Sequence, residues 1–221
     1  MRKLFLLLAA LLAVAPISVA QNHPYVDLGL PSGTLWATYN IGASSPEEYG
    51  DYYAWGETET KFAYSWSNYK YANGDRTKLT KYCNKSNYGN NGYTDSRTVL
   101  EKSDDVAYQK WGSGWCMPTQ KQFQELYDNC TTEWTTKNGK YGRLFTSKLN
   151  DKTLFFPAAG WKDGDGILLY VGRIGYYRSS SLGTGVPVDS RYLAFSYRDV
   201  IPDFSDYRSE GLSVRPVRCK N

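Results

Sequence analysis

The sequence predicts an α+β fold with short antiparallel strands before and after two helices. Apolar and aromatic pieces of a few residues recur between glycines and prolines, which is typical of strands and turns. Helical spacing of apolar residues occurs only in the middle of the chain. The 221 residues include 20 Tyr, 7 Trp and 8 Phe, a content that favours strands. Strands on both sides of a few central helices indicate the α+β class.

Three short strands are predicted first, separated by Gly and Pro: Tyr25-Val26-Asp27-Leu28, Thr34-Leu35-Trp36-Ala37 and Tyr52-Tyr53-Ala54-Trp55. Residues 57–98 then lose periodicity and are rich in Asn, Gly, Lys, Thr and Tyr. We expect a long irregular segment there. Such a segment is usually functional or pinned to the domain, and Cys83 is the candidate pin.

Two helices are predicted next, at residues 104–111 and 119–129. Thr119 follows Pro118 as an N-cap, and Phe123 and Leu126 fall on one helical face. The Asp104-Asp105 pair at the start of the first helix is interpreted as N-terminal capping. Further strands are predicted at residues 154–156, 168–170, 192–197 and 212–217.

The N-terminus predicts export. Arg2 and Lys3 precede an apolar run at residues 4–14, and small residues end it at Val19-Ala20. This pattern is typical of a cleaved secretory signal at residues 1–20, followed by one domain at residues 21–221. The run is shorter than the roughly 20 residues of a membrane span, so we expect a secreted or cell-surface protein without a membrane span.

Charge and histidine content exclude several function classes. The net charge of +4 is too small for charge-driven binding of nucleic acid. His23 is the single histidine, which excludes most histidine-based metal sites and a Ser-His-Asp mechanism. We predict neither a metal nor a cofactor.

Four cysteines in an exported chain predict disulfide bonds. Cys116 and Cys130 flank the second predicted helix, which is roughly 16 Å long, whereas bridged Cα atoms lie within about 7 Å. These two should not pair with each other. Cys83 then bonds either Cys130 or Cys116, with Cys219 taking the cysteine that is left.

A series of motifs carries a resemblance to a known family. In chain order, the most specific are VDLGLPSGTLWA, YYAWGET, KYCNKSNYG, GWCMPTQKQFQEL, NCTTEWTTKNGKYG, LFFPAAG, GYYRSSS and GLSVRPV. They resemble the major paralogous domain found in many copies in Fibrobacter and Bacteroidetes, over nearly all of residues 25–218. That family is similar to the formylglycine-generating enzyme superfamily and to variable proteins diversified by retroelements. The resemblance implies a C-type-lectin-like single domain on or outside a bacterial cell.

The resemblance also implies a disulfide pattern. Cysteines like Cys83 and Cys130 occur in many relatives, which implies that these two pair. Cys116 replaces the arginine of the usual GWRMPT motif, and Cys219 follows the last strand. Two additional cysteines in one chain are explained together if they bond each other.

The ligand-binding residues are predicted from the resemblance. In the similar variable proteins, ligand-facing side chains lie between the YYWSSS motif and the final SVRPV strand, which corresponds here to residues 177–208. The aromatic and polar side chains of this interval suit a recognition surface. The predicted ligand-binding residues are Tyr177, Arg178, Arg191, Tyr192, Tyr197, Arg198, Asp199, Phe204, Asp206 and Tyr207. Strand alternation is the competing interpretation, with Leu193, Phe195 and Tyr197 on one face.

Catalysis is not predicted. The copper-dependent formylglycine-generating relatives use a close cysteine pair near the chain end, where this chain has only Cys219. Asp163-Gly164-Asp165-Gly166 is typical of a turn rather than of a calcium loop. The calcium-dependent sugar-binding motifs Glu-Pro-Asn or Gln-Pro-Asp and Trp-Asn-Asp are absent from the sequence. A calcium-free recognition surface is therefore expected.

The leading hypothesis is a non-catalytic binding or adhesion domain that recognises a glycan or protein ligand on a host or bacterial surface. One alternative is a secreted hydrolase, which a deep cleft with two carboxylates of separated pKa would favour. The other is a structural subunit of an extracellular assembly such as a fimbria, which would show a concentration-dependent mass.

Overall fold

The computed structural model describes residues 23–183 and 185–219, and these residues form two α-helices and fourteen short strands. The helices are α1 (Val106–Trp111) and α2 (Gln120–Asn129). The strands are β1 (Tyr25–Asp27), β2 (Leu35–Ala37), β3 (Tyr52–Tyr53), β4 (Trp115–Cys116), β5 (Cys130–Lys137), β6 (Lys140–Ser147), β7 (Thr153–Pro157), β8 (Trp161–Lys162), β9 (Leu168–Leu169), β10 (Gly175–Leu182), β11 (Asp189–Phe195), β12 (Val200–Tyr207), β13 (Leu212–Ser213) and β14 (Val217–Arg218). The predicted α+β class is confirmed. The predicted signal peptide at residues 1–20 lies outside the described residues.

The strands form four sheets. A five-stranded sheet has the order β12-β11-β10-β13-β3, in which only β10 and β13 are parallel. The order β1-β2-β14-β4 places the last strand of the chain inside the second sheet, where Val217 lies opposite both Trp36 and Cys116. The hairpin β5-β6 continues into β7, and β8 pairs with β9.

Both helices begin at caps that the sequence encodes locally. The Thr119 side chain accepts a hydrogen bond from the Gln122 amide, and the Gln122 side chain accepts one from the Thr119 amide, which completes a capping box. Asp105 accepts hydrogen bonds from the amides of Ala107 and Tyr108. The first helix therefore begins at Val106, and Asp104 belongs to a preceding 3-10 turn instead.

Two aromatic clusters form most of the core. The first surrounds Trp55 and Trp115. In the second, Phe123 of α2 packs on Trp36 at 5.3 Å between ring centroids, and Phe156 of β7 joins them. This second cluster lies between α2, the β5-β6-β7 sheet and the inner face of the five-stranded sheet, so that only the opposite face of the latter is free to form a site.

Residues 57–98 contain none of the fourteen strands and only two short 3-10 turns. This agrees with the predicted irregular segment. Cys83 was expected to tie this segment to the domain through a disulfide, but hydrogen bonds do so instead. The buried Arg208 guanidinium donates hydrogen bonds to the carbonyl oxygens of Tyr82 at 2.8 Å and Lys81 at 2.9 Å. The Asp104 carboxylate accepts further ones from Lys81 and Tyr82. Hydrogen bonds from distant residues hold the segment in place.

One of the two predicted disulfides is confirmed. Cys116 bonds Cys219 across 103 residues of sequence, with 5.3 Å between Cα atoms. The predicted Cys83–Cys130 bond is wrong, because both are buried free thiols in different clusters. Cys83 packs with Leu79 in the cluster under the irregular segment, whereas Cys130 packs in the cluster around α2.

Candidate functional site

The five-stranded sheet separates its side chains into a core face and an outward face. Tyr177 lies opposite Leu193, and both belong to the buried cluster around Phe156. Because side chains alternate along a strand, their neighbours point the other way. The strand pairing aligns two outward rows, which run Arg178-Tyr192-Phe204 and Tyr176-Ala194-Ile201 across β10, β11 and β12.

Apart from the buried Arg178, the residues of these rows form the floor of a cavity of about 410 Å³, the first cavity. Tyr192 packs against Tyr176 at 5.8 Å and against Phe204 at 5.4 Å between ring centroids. The rest of the lining comprises Trp161, Tyr170, Ile174, Phe195, Ser196, Asp199, Asp206, Glu210 and Leu212. Aromatic rings and carboxylates therefore line the same cavity.

The surroundings of the first cavity raise the pKa of one carboxyl group. Burial raises the pKa of Glu210 to about 7. The positive charge of Arg178 opposes that shift, whereas the negative charges of Asp206, Asp163 and Asp189 add to it. At neutral pH the Glu210 carboxyl group is therefore near the midpoint of its titration.

Arg178 supports the cavity from below. Its guanidinium donates hydrogen bonds to the carbonyl oxygens of Tyr207 at 3.0 Å and Glu210 at 2.6 Å, and to the Ser190 hydroxyl. These contacts bring the chain after β12 across the guanidinium, which is completely buried. Arg178 fixes the position of the Glu210 backbone and lies out of reach of a ligand.

A second cavity, of about 660 Å³, adjoins the first and shares Tyr170, Ile174 and Ser196 with it. Trp134 and Tyr141 of the β5-β6 hairpin line its far side and stack with ring centroids 5.9 Å apart and planes 10° from parallel. Tyr197 and Arg173 complete the lining.

The ring that divides the two cavities stands on an unusual backbone. Tyr170 has φ of 57°, in the left-handed region that bulky residues rarely adopt. Its side chain is 51 % exposed and lines both cavities. Rare backbone conformations of this kind cluster at functional sites, which makes Tyr170 a candidate ligand contact.

The structure brings together six of the ten predicted ligand-binding residues, and five of these line the two cavities. Tyr192, Asp199, Phe204 and Asp206 line the first cavity. Tyr197 lines the second one. The Arg198 guanidinium lies 5.1 Å from the Tyr197 ring centroid, at the edge of the second cavity.

The other four predicted residues lie elsewhere. Tyr177 and Arg178 are fully buried, so their prediction as ligand contacts is wrong. Tyr177 faces the core and donates a hydrogen bond to the Pro157 carbonyl, and Arg178 is covered by residues 207–210. Arg191 points to the opposite face and pairs with Asp203 at 2.9 Å. Tyr207 packs on Trp66 and accepts a hydrogen bond from Arg76.

The lining residues that were not predicted include Trp134, Tyr141, Trp161, Tyr170, Tyr176 and Glu210. Because side chains alternate along a strand, Tyr176 and Tyr177 point to opposite faces of the sheet. Recognising that Tyr177 faces the core would have identified Tyr176 as the residue that faces the cavity. Glu210 lies just outside the interval of residues 177–208 from which the ligand-binding residues were predicted. The remaining four reach the site through tertiary contacts without a local signal.

In the described part of the chain, no helix is long and apolar enough to cross a membrane. The same residues contain no group of three or more His, Cys, Asp or Glu side chains arranged to hold a metal ion. Comparison of the chain with protein-family models, curated proteins and solved structures finds no match.

Proposed function

We propose that the protein is a non-catalytic binding domain that recognises a glycan through the first cavity. The observation that carries this proposal is the convergence of six aromatic rings and three carboxylates in one cavity on the outward face of the sheet. Sugar rings present apolar faces that pack on aromatic rings, and their hydroxyl groups donate hydrogen bonds to carboxylates. A cavity of this kind suits one sugar unit with its neighbours outside.

The resemblance to the major paralogous domain family supports the same proposal. We include in it a C-type-lectin-like fold and export to the cell surface or beyond. If the predicted signal at residues 1–20 directs export and is cleaved, the secreted protein begins at Gln21. Intact-mass measurement of the secreted protein checks this, and a mass that includes residues 1–20 would contradict it.

The proposal is tested by binding of the oxidised domain to a broad glycan array. Phe204→Ala is the informative variant because the ring lines the cavity and is 41 % exposed, so that its removal spares the core. We expect at least a tenfold loss of affinity, which corresponds to about 1.4 kcal/mol. The expected signal does not change with a calcium chelator, since the recognition surface is proposed to be calcium-free.

Tyr127→Ala is the matched control. Tyr127 lies on α2, which packs on the opposite face of the sheet, and its side chain is 40 % exposed. It should leave glycan binding unchanged. Equal losses in the two variants would contradict the proposed site, and loss of signal with the chelator would contradict calcium-free binding. An empty array would favour a protein ligand or an assembly role.

A second candidate function is glycoside hydrolysis. Asp206 and Glu210 line the same cavity, and the pKa of Glu210 is raised to about 7, as a general acid requires. New reducing ends on a bound glycan, formed by the wild-type protein and missing with Glu210→Gln, would show this activity. The binding proposal expects none.

A further inference from the structure

The charged residues that line the first cavity are all acidic. It includes the carboxylates of Asp199, Asp206 and Glu210, and none of its lining residues is a lysine or an arginine within the part of the chain that the structure describes. A neutral sugar would leave these carboxylates uncompensated, and an acidic sugar would be repelled.

We propose that the first cavity binds a protonated amino group, so that the recognised ligand is a glycan of amino sugars with free amines. This inference rests on the proposed function and specifies its ligand class. The amino group would lie between the carboxylates of Asp206 and Glu210 and over the neighbouring ring faces.

Nearby cations do not neutralise the cavity. The Arg178 guanidinium supplies one positive charge, but it donates hydrogen bonds to neutral oxygen atoms, the Ser190 hydroxyl and the carbonyl oxygens of Tyr207 and Glu210. Arg191 is paired with Asp203 on the other face of the sheet, and Arg173 lines only the second cavity.

Two further carboxylates, those of Asp163 and Asp189, act on Glu210 with the same sign as Asp206. Arg143 attracts Asp199, which leaves Asp206 and Glu210 as the groups that a ligand would compensate. The single positive charge of Arg178 is therefore outnumbered by the carboxylates around Glu210.

The aromatic rings add to the preference for a cation. The faces of aromatic rings attract ammonium groups electrostatically, and the attraction increases when water is excluded. Tyr192 is only 4 % exposed and is flanked by Tyr176 and Phe204, so the floor of the cavity around Tyr192 is sheltered from water. Rings and carboxylates together form a site for an alkylammonium group.

A glycan fits the surroundings better than a lysine side chain of a protein. The cavity continues past Tyr170 into the second cavity, where the Trp134 and Tyr141 rings offer further stacking surface. A chain of sugar rings would occupy both cavities at once. A lysine side chain would fill the first and leave the second empty.

The experiment compares matched pairs of oligosaccharides by calorimetry. The probes are tetramers of glucosamine and of galactosamine in several linkages, each beside its fully N-acetylated counterpart. We expect at least one free-amine tetramer to bind at least tenfold more tightly than its N-acetylated counterpart. Glu210→Gln should remove that difference, because it keeps the shape of the side chain and removes its charge.

Asp203→Asn is the matched control. Asp203→Asn changes the net charge by the same amount as Glu210→Gln. Asp203 lies on β12, but its side chain points away from the cavity and pairs with Arg191. It should keep the preference for the free amine. Asp206→Asn should lose the preference as Glu210→Gln does, which provides a second variant if one of them folds poorly.

The preference should also depend on pH in a characteristic way. The pKa of Glu210 is about 7, so protonation below neutral pH removes its charge, whereas above neutral pH the sugar amine loses its proton. Affinity for the free-amine tetramer should pass through a maximum near neutrality, and affinity for the N-acetylated one should not. The groups around Glu210 that shape this profile are Arg178, Asp163, Asp189, Asp206, Tyr176 and Tyr192.

Other outcomes separate this inference from the proposed function. Equal binding of both members of each pair, or equal behaviour of Glu210→Gln and Asp203→Asn, overturns the amine site while glycan binding stands. If only neutral glycans bind on the array, the amine site is overturned while glycan binding stands. Binding of trilysine with no binding of any glycan overturns both, and indicates a basic protein segment as the ligand.

Discussion

Arg178→Met is expected to lower the free energy of unfolding by about 3 to 5 kcal/mol and to weaken glycan binding at the first cavity. Methionine fills much of the same volume but donates no hydrogen bond. The carbonyl oxygens of Tyr207 and Glu210 and the Ser190 hydroxyl would lose their donor. Asp206 and Glu210 would also lose the positive charge that partly offsets their repulsion.

Denaturant unfolding checks the expected loss, with Arg191→Met as the matched control. Arg191 is on the neighbouring strand β11, but its ion pair with Asp203 is partly exposed to solvent. Exposed pairs contribute no more than about 1 kcal/mol, so this variant should remain close to the wild type in stability. If the two variants unfold at the same denaturant concentration, Arg178 does not support the cavity as described.

Removal of the Cys116–Cys219 disulfide is expected to cost about 4 to 5 kcal/mol. The bond closes a loop between residues 103 apart, and a loop of that length loses much of its freedom in the unfolded chain. The variant is Cys116→Ser with Cys219→Ser, measured by denaturant unfolding against the oxidised wild type. Reduction of the wild type should produce a similar loss.

The same reductant should leave the double serine variant unchanged. Cys83 and Cys130 are free thiols, so no disulfide remains in that variant to be reduced. A further drop in its stability on reduction would mean that Cys83 and Cys130 bond after all. This experiment thus tests both the confirmed disulfide and the corrected one.

Local signals predicted the helices well. Thr119 and Asp105 cap their helices through side chains that lie within three residues of their partners. The β5-β6 hairpin was missed although the sequence carries its signal. Asn138 and Gly139 both have positive φ in the turn between these strands, and Asn-Gly between strand residues is the strongest short-range indication of a hairpin.

The site was harder to predict, because its residues depend on which face of a strand meets the core. Tyr176 and Tyr177 are chemically identical, and only the packing of Tyr177 against Phe156 decides which of them faces the ligand. Arg178 was taken for a surface cation because burial of an arginine needs acceptors from distant residues. Those acceptors lie 12 to 32 residues away and cannot be located from sequence.

The position of β14 determines when during synthesis the domain can close. This two-residue strand follows the other thirteen described strands in the sequence, yet it lies between β2 and β4 and contributes Val217 to the cluster around Trp36. A growing chain has no partner for the inner edges of those strands until Val217 and Arg218 are made. Completion of this sheet therefore waits until the whole chain between Trp36 and Val217 has been synthesised, and the domain stays open for any process that needs it unfolded beforehand.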